Sequence, residues 1–402
     1  MFVIDLSHTS HTRARTGIQR VCRSLLRELS RKEEARPATW DPHADQWRPL
    51  RRWEEVLLGS RTPDARRSAS WPLPSRLRGR AWRLLSRGAP AVAPGLCEGV
   101  SGLIVPELFS PATAAALPAL IGAVHAPAVA LFHDALALRL PEHSPAGTVT
   151  RMPAYLLELS LLDGVAAVSE DSRQTLLDYW AWAGLRSQPP VTAIPLGVDA
   201  PASTPKDATA RWRRPTLLCL CSIEGRKNHL ALLEACEKLW KEGVNFELRL
   251  AGLARKDTAS AALERIGALQ AAGRPLLYDG PISEQALEEA YAGCLFTVYP
   301  SLAEGFGLPV LESLVRGKPC ICSNKGALGE VANRGGCLGL DECSPTQLAM
   351  AIRRLLTDTP LRERLETEAR TRVGRSWADH AKELTEWIRS LPLREDRGRR
   401  SW

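Results

Sequence analysis

Short apolar runs alternate with stretches of helical periodicity along most of this chain. A run at residues 2–6 precedes a stretch from Thr16 to Leu29 in which Ile18, Val21, Leu25 and Leu29 recur near helical spacing. Runs at 102–105, 128–132 and 164–169 read as strands, with helices near 112–124, 152–162 and 171–182. The alternation resumes with strands at 216–223, 246–252, 275–280, 294–301, 319–324 and 336–340. Helices are expected at 228–241, 259–272 and 283–292, with three more at 345–357, 360–373 and 378–388. Apolar strands separated by helices predict parallel sheets covered on both faces. Residues 38–95, rich in Arg, Trp and Pro, show poor periodicity. Residues 189–214, rich in Pro, Ser, Thr and Ala, read as a boundary between two α/β units, 1–200 and 201–376.

A length of 402 residues suits two domains of ordinary size, and 45% hydrophobic with 24% charged residues is a soluble globular composition. Asp5 interrupts the N-terminal apolar run, which argues against a signal peptide. Residues 108–133 contain no Asp, Glu, Lys or Arg, but Pro111, Pro118 and Pro127 argue against a membrane span there. The 10 cysteines include two C-x-C pairs, Cys219/Cys221 and Cys320/Cys322, inside apolar runs. Period two puts each pair on one strand face, and no further ligands at turn-like spacing accompany them. Buried, reduced thiols of a cytoplasmic protein are expected.

The net charge of +8 is concentrated in one place. Residues 61–90 hold Arg61, Arg66, Arg67, Arg76, Arg78, Arg80, Arg83 and Arg87 against Asp64 as the sole acid. Trp71, Leu73, Leu77, Trp82, Leu84 and Leu85 are interleaved with them. Such a segment suits an anionic membrane surface, with Trp71 and Trp82 as interfacial anchors, or a solvated insertion. A nucleic-acid partner is disfavoured.

The densest candidate chemistry lies at residues 299–319. Glu304 and Glu312 stand eight positions apart across a glycine-rich loop that enters a helix at Pro309 and stops near Gly317. Backbone N–H groups around Gly305, Phe306, Gly307 and Leu308 would sit at the positive end of that helix, where phosphate binds. A second cluster, Arg226-Lys227, follows the first strand of the second unit. Two cations at the carboxyl end of a parallel strand suit a diphosphate in a crevice.

The 299–319 stretch resembles the Glu-x₇-Glu motif of retaining GT-B glycosyltransferases, specifically glycosyltransferase family 4. The resemblance implies two Rossmann-like domains with parallel sheets facing an interdomain crevice. It also implies that residues 377–402 cross back onto the first domain. By resemblance Glu304 contacts the transferred sugar and Glu312 holds the nucleotide ribose. Lys227 matches the phosphate-binding lysine, with Arg226 as its partner and Gly225 where the related motif has proline. The turn Tyr278-Asp279-Gly280-Pro281-Ile282 would lie beside the base, and His133, before Asp134, would hydrogen-bond the donor sugar. Thr16-Gly17-Ile18-Gln19-Arg20 resembles a T-G-I-x-R-V pattern, which puts Gly17 and Arg20 at the acceptor side of the crevice. It departs from relatives with a Gly-Gly loop there. His8, His11 and His229 receive no role individually.

The implied partners are a nucleotide-sugar donor, foremost GDP-mannose, and a glycan or polyprenyl-diphosphate-linked acceptor of cell-surface polysaccharide synthesis. The implied place is the cytoplasm, against the inner face of the membrane. No Asp-x-Asp occurs, so no metal and no other cofactor is expected. A GT-B phosphorylase or epimerase, or a noncatalytic nucleotide-binding scaffold, remains open as an alternative.

Overall fold

The computed structural model describes residues 1–14, 16–60, 69–86, 88–199, 214–255 and 258–392. Two sheets organise it. The first is seven-stranded, in the order β3-β2-β1-β4-β5-β6-β7. Its strands are β1 Phe2–Asp5, β2 Ala35–Asp41, β3 Gln46–Pro49, β4 Gly102–Val105, β5 Ala128–Phe132, β6 Gly164–Ala167 and β7 Val191–Ala193. Only β2–β3 is antiparallel. The second is six-stranded and parallel, in the order β10-β9-β8-β11-β12-β13. It comprises β8 Thr216–Leu220, β9 Glu247–Ala251, β10 Leu276–Tyr278, β11 Phe296–Tyr299, β12 Cys320–Ser323 and β13 Cys337–Leu340. The molecule is thus α/β, with two Rossmann-like domains.

Strand periodicity explains how the first sheet is covered. Val3, Val105, Ala130 and Phe132 feed one apolar cluster, while Phe2, Ile4, Ile104, Val129 and Leu131 feed another on the opposite face. The last helix, Trp377–Ser390, belongs to this second face, to which Trp377, Ala381, Leu384 and Ile388 contribute. It packs so closely that a Cβ on Gly102 would come within 2.7 Å of Ile388, and one on Gly164 within 2.8 Å of Trp387. Ser376 and Asp379 close its N-terminus as a capping box.

Several elements depart from the sequence pattern. Residues 38–95 contain most of β2, the hairpin strand β3 and helices Arg52–Gly59 and Leu73–Leu85. Residues 61–68 and Arg87 of the arginine-rich segment lie outside the described residues. Strand β7 falls in the stretch read as a boundary, most of whose remainder, 200–213, is also outside them. Helix Gly326–Ala332 was not expected. Among the described residues no helix is long and apolar enough to cross a membrane.

Candidate active site

The carboxyl ends of the two sheets meet. Strand β11 runs into Ser301–Gly307 of the second domain, and β5 of the first ends at Phe132, just before His133. A Cβ on Gly305 would lie 2.3 Å from the His133 carbonyl oxygen, so only glycine permits this approach. Ser169 Oγ donates to the Gly305 carbonyl at 2.7 Å, and Ser172 Oγ donates to the His133 carbonyl at 2.9 Å. On the same rim, Glu330 accepts the backbone N–H groups of Glu170 and Asp171, at the start of helix Glu170–Trp182. Ser172 Oγ also reaches the Gly305 carbonyl at 3.2 Å, and neither serine nor Glu330 carried a sequence signal, because each acts across the crevice.

Glu304 stands inside a cationic cluster. Its Oε1 accepts from Arg226 Nη1 at 2.8 Å and from Lys227 Nζ at 2.5 Å. Arg226 also pairs with the buried Glu224 at 2.9 Å, and Lys227 Nζ reaches the Tyr299 hydroxyl. Burial pushes the Glu304 carboxyl up, but Arg226 and Lys227 outweigh it and hold the pKa at about 2. Burial disfavours the Arg226 cation, yet Glu304 and Glu224 raise its pKa above the usual guanidinium value. The pair sits on a tight turn, Gly225–Lys227, closed by Asn228 in the left-handed region at φ 56°. A Cβ on Gly225, the position that departs from the family motif, would come within 2.5 Å of His143 Nδ1 in the first domain.

Helix Leu308–Leu314 starts at Gly307, φ 102°, with Pro309 in its first turn. Glu312, one turn in, is buried and accepts from Arg20 Nη2 of the first domain. Phe306 and Leu308 turn their side chains into the apolar cluster of the first domain, so what this loop offers a donor is backbone. Gly17 opens helix Gly17–Arg31, and a Cβ there would meet nothing within 4 Å. His133 is buried, and its Nε2–H donates to the Pro106 carbonyl at 2.8 Å. Burial lowers its pKa despite that hydrogen bond, so the ring is neutral and Nδ1 is its acceptor nitrogen.

Ile282 follows β10, two strands from β8. Its loop is tied inward, since Gly252 N–H donates to the Gly280 carbonyl at 2.8 Å and Gly252 backs onto Cys221.

The structure corrects two readings. The Cys219/Cys221 pair is accompanied: His229 Nε2, from the first residue of helix His229–Lys241, lies 3.5 Å from Cys221 Sγ and 3.9 Å from Cys219 Sγ. Trp71 is no outward anchor, since its ring stacks on buried His11 with centroids 3.9 Å apart. His11 itself pairs with buried Glu54 at 2.9 Å. The His11 pairings join residues far apart in sequence, which no local pattern shows.

Two Rossmann-like domains whose sheets meet at their carboxyl ends are the arrangement of the GT-B fold. Residues 204–372 match the family described as glycosyl transferases group 1. The chain is 28% identical to a serotype-specific mannosyltransferase WbdA of Escherichia coli over 374 residues, 87% of this chain and 42% of that protein. It is 30% identical to the O-antigen chain mannosyltransferase B of Escherichia coli over 219 residues, 52% of this chain and 56% of that one. It thus spans about two fifths of the WbdA relatives it matches. The fold superposes on sucrose-phosphate synthase from Thermosynechococcus elongatus with a TM-score of 0.66 at 18% identity, covering 97% and 98% of the two chains. Anabaena HepE, solved with UDP and glucose, gives 0.67 at 14% identity, covering 97% and 99%. The family match falls on the unit that carries Arg226, Lys227, Glu304 and Glu312.

Proposed function

We propose that the chain is a retaining glycosyltransferase that moves a mannosyl unit from GDP-mannose to a glycan or lipid-linked acceptor in cell-surface polysaccharide synthesis. The observation that carries this reading is the pairing of Glu304 with Arg226 and Lys227, just ahead of the helix that holds buried Glu312, with neighbouring Gly305 against the His133 carbonyl. A donor diphosphate would share the two cations with Glu304. They would stabilise the charge that builds on the leaving phosphate, a contribution of roughly 10²–10³ in rate for one fixed group. Glu312 would accept from ribose hydroxyls and His133 Nδ1 from a sugar hydroxyl. Acceptor attack from the leaving-group face, with its proton passing to the departing phosphate oxygen, needs no protein base. The mannosyl donor is supported by the mannosyltransferase relatives, one of them a GDP-mannose-dependent mannosyltransferase of Mycobacterium tuberculosis at 33% identity over 177 residues.

Helix Leu73–Leu85 supports a peripheral place on an anionic membrane. Ser75 and Gly79 face inward, and a Cβ on Gly79 would lie 2.7 Å from His43, which fixes the helix against the β2–β3 turn. Leu73, Leu77, Leu84 and Leu85 are left exposed beside Arg76, Arg80 and Arg83.

Thermal shift with GDP-, UDP- and ADP-sugars tests the donor assignment. GDP-mannose should stabilise most, by about 2.7 kcal/mol at a hundredfold excess over its Kd. Transfer should persist in EDTA, the cations serving in place of a divalent ion. Equal stabilisation by every nucleotide sugar, or by none, would contradict the assignment.

A further inference from the structure

A cavity of about 1260 Å³ opens in the first domain, apart from the donor crevice. Its walls are the turn Thr9–His11, helix Arg52–Gly59 and the segment from Ser70 into helix Leu73–Leu85. None of Glu304, Glu312, His133, Arg226 and Lys227 lines it.

Its lining combines arginines with aromatic rings. Arg48 is committed to Asp41 at 2.9 Å and Glu54 at 2.8 Å, and Arg51 lies 3.7 Å from Asp41. Arg13, Arg52 and Arg78 also line the cavity, without a carboxylate partner among the described residues. Positive charge is therefore in excess. Two buried donors of lining residues agree: Arg51 Nη1 and Trp53 Nε1 have no hydrogen-bond acceptor among the described residues. Buried donors of this kind are rare and costly, and an anion would satisfy both. Burial and neighbouring Arg48 already disfavour the Arg51 cation, which an anion would relieve. Around them, Trp71 stacks on His11, Trp53 meets Trp71 edge-on at 6.1 Å, and Trp82 stands 47% exposed at the rim. Flat apolar rings beside guanidinium groups suit a ligand with one apolar face and one anionic end.

We propose that this cavity binds a glycosyl phosphate or diphosphate. Its phosphate oxygens would lie on Arg51 Nη1 and Trp53 Nε1, and its sugar ring against Trp71 and Trp82. The proposal rests on the glycosyl-transfer reading and narrows the acceptor to an anionic one. The turn Thr9–His11 on the cavity wall lies a few residues before the helix that carries Arg20 onto Glu312. Exposed Leu77 and Leu85 on the rim helix suit an acceptor whose phosphate is attached to lipid.

Isothermal titration calorimetry of the whole chain with mannose 1-phosphate, inorganic pyrophosphate and methyl α-mannoside tests this directly. Mannose 1-phosphate should bind at least tenfold more tightly than the neutral glycoside. Arg51→Gln and Trp53→Phe should each weaken it about tenfold, the effect of losing one charge-assisted hydrogen bond. Circular dichroism should stay unchanged, and if Arg51→Gln fails to fold, Trp53→Phe decides alone. Equal affinity for the neutral glycoside, or full affinity in the folded variants, overturns the proposal. Vesicles with phosphatidylglycerol form the second arm. Competition by vesicles for mannose 1-phosphate assigns the phosphate to a lipid headgroup, and its absence assigns it to the soluble glycosyl phosphate. If mannose 1-phosphate binds as stated but no nucleotide sugar is ever turned over, the cavity assignment stands and the transferase reading falls. If neutral acceptors are used equally by wild type and variants, the reverse holds.

Discussion

Arg20 Nη2, on the first helix of the first domain, donates to Glu312 Oε1 in the second domain. The carboxylate matched to the nucleotide ribose is therefore held from across the crevice. Glu312 draws the Arg20 pKa upward against the effect of burial. A ribose taken up by Glu312 would have to share the carboxylate with Arg20. Glu312→Ala should weaken GDP binding by about tenfold or more in calorimetry, whereas Glu304→Ala should spare GDP binding and lower kcat. A double-mutant cycle of Arg20→Ala and Glu312→Gln on thermal unfolding should show a coupling of about 1–2 kcal/mol, modest because Arg20 is 41% exposed. Strict additivity would remove the pair from the account.

The cluster around Glu304 sets a pH expectation. Its pKa of about 2 lies below the ordinary value of 4.5, so the stabilisation is complete above about pH 4.5 and is lost as pH falls toward 2. Activity should show no acid limb from Glu304 between pH 5 and 8. Lys227→Met removes one of the two cations, so a limb should rise toward the ordinary carboxyl range. An acid limb near pH 6 in the wild type, absent from Glu304→Gln, would contradict the ionised assignment.

Gly305 offers a steric test. A single methyl group there would meet the His133 carbonyl, a backbone atom that cannot move aside cheaply. Gly305→Ala should cut kcat/KM by at least about tenfold, the cost of misplacing reacting groups, while each domain keeps its circular dichroism. Wild-type kcat/KM in this variant would mean that the contact is dispensable.

Membrane contact should follow lipid charge and salt. Each basic residue near an anionic surface adds about 1 kcal/mol, and the screening length falls to ~3 Å at 1 M salt. Cosedimentation with anionic vesicles should be lost in high salt and in a variant with Arg76, Arg78, Arg80 and Arg83 changed to Gln. Equal binding to neutral and anionic vesicles would make helix Leu73–Leu85 an ordinary surface helix.

Much of the fold was legible because most parallel strands here are continuous apolar runs, and β4, β5 and helix Pro345–Thr357 fall where the pattern puts them. The failures have physical causes. Strand β2 carries Arg36 and Pro37, which hide its periodicity, and β7 is three residues long beside two prolines. Helix Gly326–Ala332 spans seven residues with two glycines, too little for a helical pattern. At the site, local punctuation located Glu304, Glu312 and the Arg226-Lys227 turn, whereas the Arg20–Glu312 pair joins residues 292 apart. The cavity arginines and tryptophans were visible as composition. That Arg51 and Trp53 line one cavity and each keep a donor unpartnered among the described residues is a property of the folded chain alone.

The most direct test of the central claim is the anomeric configuration of the product. The chain would be incubated with GDP-mannose and a mannosyl acceptor, and the new linkage read by nuclear magnetic resonance in parallel with Glu304→Ala. Transfer with the α configuration kept, and loss of at least about 10² in kcat for the variant, is the result predicted. A β-linked product, or unchanged transfer by Glu304→Ala, would contradict it.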